Sequence, residues 1–199
     1  FVSTTTQILE YVSDNWKVSV SMGVVLLLIV GGVFMWRSNR AKKEQKAFAL
    51  YHVIQSEMHV PQETNQPTVK ICSNWDKLEK DFQGTSAAMY GTLQQMACLI
   101  EGRAYEKGVN KAASLLQNTS APGVVRVLAL FLKGCGLEEK KAYRKAEKAF
   151  KAILKDPDNF LKDTTRYHLY LCQLNRGERA KAKTTLDGIK LEAGSDRSE

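Results

Sequence analysis

Four prolines in 199 residues leave little to interrupt a helix, and nowhere does the chain alternate apolar and polar residues as a half-buried strand must. These two absences argue against a β or mixed fold and predict an all-α protein. Catalytic patterns are missing too. The three histidines, His52, His59 and His168, stand without a nucleophile and an acid at motif spacing, and no GxSxG, HExxH, Walker or dinucleotide-binding sequence occurs. The chain therefore reads as a non-enzyme with no catalytic residue, no cofactor and no small-molecule substrate. Its four cysteines, Cys72, Cys98, Cys135 and Cys172, form no CxxC, and gaps of 26, 37 and 37 residues are not zinc-ligand spacing. His168 and Cys172 lie one helical turn apart but have no third ligand nearby, so no metal site is expected. An even cysteine count permits pairing in an oxidising compartment. Cys98, Cys135 and Cys172, each in a helical stretch among apolar neighbours, read instead as buried free thiols.

Charge is absent from Val18 to Trp36, nineteen residues between Lys17 and Arg37. As a helix this run spans roughly 28 Å, close to the ~30 Å hydrocarbon core of a bilayer. Trp16 and Trp36 stand at its two ends, where indoles favour the headgroup region, and Arg37, Arg40, Lys42 and Lys43 follow as a charged stop. A buried core helix would be amphipathic, whereas Val24 to Val30 is apolar on every face. A cleaved signal would end in small residues, not Phe34, Met35, Trp36 and Arg37. The segment 17–37 is thus predicted to be a single transmembrane anchor. Gly23, four residues after Ser19, and the pair Gly31 and Gly32 offer small patches where a neighbouring helix can approach.

What remains is one domain's worth of charged chain. The formal net charge is +8, and residues 37–199 hold 28 basic against 19 acidic residues. Acids are interleaved with the lysines of 140–155, so a solvated helix face is expected there and no nucleic acid. The chain begins at Phe1 rather than Met, which leaves room for residues upstream. The predicted organisation is a tail at 1–16, the membrane helix at 17–37, an amphipathic helix and loop at 38–72, a repeat domain at 73–193 and a tail at 194–199. Ala47, Leu50, Tyr51, Ile54 and Met58 carry a three-and-four spacing beyond the anchor, and Pro61 and Pro67 break it. Ser73 is the expected cap of a helix that places Trp75, Leu78 and Phe82 on one face.

Repeats organise the rest. Three helix-turn-helix units align when Ala112, Ala146 and Ala182 are superposed, 34 and 36 residues apart, each followed four residues later by Leu116, Phe150 or Leu186. That is the period of tetratricopeptide repeats, in which small side chains let two helices approach closely. Gly134 lies twelve before Ala146, Gly177 turns the third unit and Pro157 closes the second. In this register Ile100 takes the place of the small residue in the first unit. The fold class is a single N-terminal transmembrane helix followed by a short tetratricopeptide-like solenoid of helical hairpins.

With a short tail, one membrane helix ending in Trp36-Arg37, an amphipathic extension and three degenerate hairpins, the chain resembles the YfgM-type ancillary subunits of the bacterial SecYEG translocon. The stretch from Lys77 to Leu116 is similar in layout to that family's first hairpin, with Tyr90 and Gly91 opening one helix and Lys111 to Ala113 the next. The resemblance implies an inner-membrane protein with its repeats in the periplasm and with translocon subunits, chaperones and exported chains as protein partners. The basic flank after Arg37 conflicts with this, because the positive-inside rule would put the repeats in the cytoplasm. The alternative is accordingly a cytoplasmic-face adaptor or lipid-surface protein using its basic helices. The partner groove is expected on the first helices of the units, at Gln94, Glu101, Tyr105, Phe131, Cys135 and Tyr167. Glu101, Cys135 and Leu171 there replace the cations that clamp a terminal carboxylate.

Overall fold

A computed structural model of the chain describes residues 16–59, 71–119 and 121–189. Among the described residues there are eight helices and no strand: α1 (Trp16–His59), α2 (Asn74–Asp81), α3 (Ser86–Glu101), α4 (Tyr105–Leu116), α5 (Gly123–Glu139), α6 (Tyr143–Lys155), α7 (Lys162–Asn175) and α8 (Arg179–Asp187). They divide into two compact units, 1–46 and 47–199. The tails and most of the loop holding Pro61 and Pro67 lie outside the described residues.

The first unit contains the apolar run of α1. Its large side chains from Val20 to Trp36 are all at least half exposed, and Gly23, Gly31 and Gly32 have open space where a Cβ would stand. By length and composition α1 is long and apolar enough to cross a membrane. Leucines and valines left open in this way are the kind of surface that the hydrocarbon core of a bilayer accepts. At the far end the Arg40 guanidinium lies over the Trp36 ring, 5.6 Å from its centroid, a pairing suited to the headgroup layer.

The second unit opens with the amphipathic end of α1. Ala47 and Ile54 are buried against Trp75, Leu78 and Ala87, with Leu50, Tyr51, Met58 and Phe82 packed around them. The predicted apolar stripe therefore forms. Ser73 does occupy the N-cap of α2, but its hydroxyl makes no cap bond. Among α2 to α8, α3 alone is capped by a side chain, Thr85 Oγ1 accepting from the Ala88 N–H. Gly91 sits mid-helix rather than at the start of α3. Its absent Cβ would fall 2.6 Å from Leu78 Cδ2, so this glycine lets α2 close on α3.

The hairpins α3–α4, α5–α6 and α7–α8 follow. Each first helix ends in the same Schellman turn: Ala104, Ala142 and Glu178 donate their N–H to the carbonyls of Leu99, Leu137 and Gln173, at 2.8, 2.9 and 2.9 Å. The residue before each donor is left-handed, Arg103 at φ 60°, Lys141 at φ 58° and Gly177 at φ 77°. These turns fix the repeat register at 38 and then 36 residues, and they correct the alignment read from the sequence. The residue equivalent to Ala146 and Ala182 is Gly108, not Ala112, and the equivalent of Gly134 is Met96, not Ile100. Gly108, Ala146 and Ala182 are all buried. The misreading came from looking for one fixed period, whereas the first hairpin is four residues farther from the second.

Candidate binding face of the first helices

In this register α3, α5 and α7 present matching rows at four-three-four spacing, one face of a helix. The rows are Tyr90, Gln94, Ala97 and Glu101; Leu128, Leu132, Cys135 and Glu139; and Thr164, His168, Leu171 and Asn175. None of these twelve side chains is buried. The middle of the face is aliphatic. Leu128 and Leu132 lean on the core of Leu93, Met96 and Val125, yet keep part of their surface in solvent.

The end of the face where the first helices stop is acidic. Glu101 and Glu139 are exposed, and Tyr105 Oη approaches Glu139 Oε2 at 3.5 Å. Glu138 beside them contacts His168 Nδ1 at 2.7 Å, tying α5 to α7. The His168 ring stacks on Phe150 with centroids 5.3 Å apart and meets Phe131 edge-on at 5.2 Å.

Gln94, Glu101 and Cys135 therefore lie on the face where the spacing put them. Phe131 and Tyr167 are one position off it and equivalent to each other. Phe131 packs into the core with Phe150, whereas Tyr167 is 49% exposed. Tyr105 is not a first-helix residue; it opens α4. Sequence reasoning missed Leu128 and Leu132, whose only signal is their position in a row that becomes visible once the Schellman turns set the register.

The cysteines correct a second expectation. Cys72, just before α2, and Cys98, in the last turn of α3, form a disulfide with Cα atoms 5.7 Å apart, set among Leu99, Met58 and Ala104. They are not free thiols. Spacing alone does not show that the chain returns from α1 to lie beside the end of α3. Cys135 and Cys172 are free. Burial, and next to it the Glu138 charge, pushes both thiols up to about 12, so neither is a nucleophile at neutral pH.

Ion pairs hold the hairpins in register. Arg126 at the start of α5 grips Asp156 through two hydrogen bonds, 2.7 and 3.0 Å, and Asp158 fills the space a side chain at Gly123 would take. Glu147 on α6 is buried and bonded by Lys151 at 2.7 Å and by Arg176 from the end of α7. Burial alone would raise its carboxyl, but the Lys151 hydrogen bond and the Lys151 and Arg176 charges outweigh it and hold the group below the ordinary range.

The model of the tetratricopeptide repeat-like domain family matches residues 10–144, more than half of the chain and inclusive of the apolar helix. No curated protein and no solved structure matches. The chain belongs to the tetratricopeptide repeat-like domain family.

Proposed function

We propose that this tetratricopeptide repeat-like protein is a membrane-anchored scaffold that holds protein partners on its first-helix face, on the oxidising side of the membrane. Repeats of this family serve protein–protein interaction, and a partly aliphatic, uncovered face with an acidic end suits an apolar segment flanked by basic residues. The observation that carries the placement is the Cys72–Cys98 disulfide, since such bonds persist outside the cytosol and are rare within it. It weighs against the basic flank from Arg37 to Lys46, which favours a cytoplasmic repeat domain. With the resemblance to YfgM-type subunits, the reading extends to a bacterial inner-membrane protein at the Sec translocon that helps pass exported chains to periplasmic chaperones. Partner contacts are assigned to Gln94, Glu101, Leu128, Leu132, Cys135 and Tyr167. No cofactor enters.

Two reporters fused after Glu199 test the placement, one active only outside the cytoplasm and one only inside it. Activity of the outer reporter is expected, and an inner signal alone would overturn the reading. Photocrosslinkers placed singly at Gln94, Leu132 and Leu171 in native membranes then test the face. Adducts with translocon subunits or exported chains are expected; labelling no stronger than from Lys162, on an exposed stretch away from the face, would remove the partner assignment.

A further inference from the structure

A second surface lies outside the first-helix face. Between α4, α5 and α6 is a hollow of about 520 Å³, lined by aliphatic side chains such as Val109, Leu130 and Ala149 and by four lysines, Lys133, Lys140, Lys145 and Lys148. Among the described residues the ion pairs include none to Lys133, Lys145 or Lys148. Lys140 reaches only the exposed Glu106, at 3.6 Å. Four cations gathered from two helices and their turn over aliphatic side chains, against Glu106 as the one acid in the lining, differ from the interleaved face expected from composition.

The spacing says what they fit. Lys133 and Lys140 are seven positions apart, about 10 Å along a helix, too far for one phosphate to bridge. Carboxylates seven positions apart on a helix, two turns, span the same distance of about 10 Å, and their apolar neighbours would rest on the aliphatic lining. We infer that this hollow is a docking groove for an acidic amphipathic helical segment of a partner protein. The lysines steer and orient that segment, and the aliphatic lining supplies the apolar contact. The groove is independent of the first-helix face and of the side of the membrane on which the repeats lie.

The full chain in detergent micelles, titrated with a fluorescein-labelled amphipathic peptide of Leu, Ala and Glu of about four turns, tests this. Its glutamates sit seven positions apart, and a second peptide carries Gln in their place. The Glu peptide should bind, the Gln peptide about tenfold more weakly or worse, and affinity should fall several-fold between about 50 and 300 mM salt. The triple variant Lys133→Gln, Lys145→Gln, Lys148→Gln should lose about tenfold or more, while Lys155→Gln, Lys162→Gln, Lys183→Gln should stay within about twofold. Ala152→Glu, an exposed change at the groove, should weaken binding without altering thermal unfolding. Equal binding of the two peptides, equal loss in both triple variants, or no binding of the Glu peptide would overturn the proposal. So would lysine-dependent binding of phosphatidylglycerol vesicles in place of the peptide, which would make the groove a lipid site.

Discussion

The α3–α4 and α5–α6 hairpins end their first helices in the same Schellman turn but fill the space between their helices in opposite ways. In the second hairpin the first helix contributes Gly134 and the second contributes Phe150, whose ring lies where a Cβ on Gly134 would fall, 2.4 Å from Cε1. In the first hairpin the bulk comes from the other side: Met96 stands at the equivalent of Gly134, and Ala112 at the equivalent of Phe150, both fully buried. The third carries Tyr170 and Leu186 at these places, and Leu186 is left 43% exposed. Between the first two hairpins the summed volume is preserved rather than any residue type, because a close-packed interior responds to volume and shape; the third, with two large residues, leaves one of them in solvent.

The largest expected effect is from Phe150→Ala, which should lower the stability of the full chain in micelles by about 3 to 5 kcal/mol, against about 1 kcal/mol for Ala112→Gly. Similar costs in denaturant unfolding would break the contrast. The exchange itself can be built. Met96→Gly should cost about 2 to 5 kcal/mol and Ala112→Phe about 1 to 3, while the double variant should fall short of their sum by about 1 kcal/mol or more. Strict additivity would mean that the two side chains do not share one space.

Acid should separate the hairpins next. Glu147 of the second is replaced by Val109 at the equivalent place in the first. Because the folded-state pKa of Glu147 lies below its ordinary 4.5, the stabilisation is present above that value and is lost as pH falls through the folded one. Hydrogen-exchange protection factors, which correct for the intrinsic pH dependence, should therefore fall in α6 and α7 before α3 and α4 as pH drops below about 4.5. Glu147→Gln should flatten that dependence at the expense of stability at neutral pH. The smallest effects belong to the turns. Lys141→Gly should stabilise by about 0.5 to 1 kcal/mol by relieving a left-handed lysine, and Gly177→Ala should destabilise by about 1; like signs in thermal unfolding would contradict the shared turn.

Much of the fold was legible because helices and membrane spans are written in local periodicity. The apolar run, the stripe from Ala47 to Met58, the face of Trp75 and Leu78 and the turn at Gly177 each depend on residues within a few turns of one another. The register of the first hairpin was not legible. A small residue at a hairpin contact is informative only with its partner, and in the first unit the large and small partners are exchanged, so Ala112 looked like an anchor while Gly108 held the place. Arg103 and Lys141 hid the turns by adopting a conformation that sequence reasoning reserves for glycine.

The sequence by itself determined that this protein is helical, that it carries a helix long and apolar enough to cross a membrane and that a short series of hairpins comes after it, since each of these follows from composition and spacing along the chain. Tertiary structure alone decided which cysteines meet, which residues are equivalent between hairpins, and that four lysines gather around an aliphatic hollow. Those facts depend on where distant helices come to rest against one another, and that is set by the sum of side-chain volumes across an interface that no local pattern records.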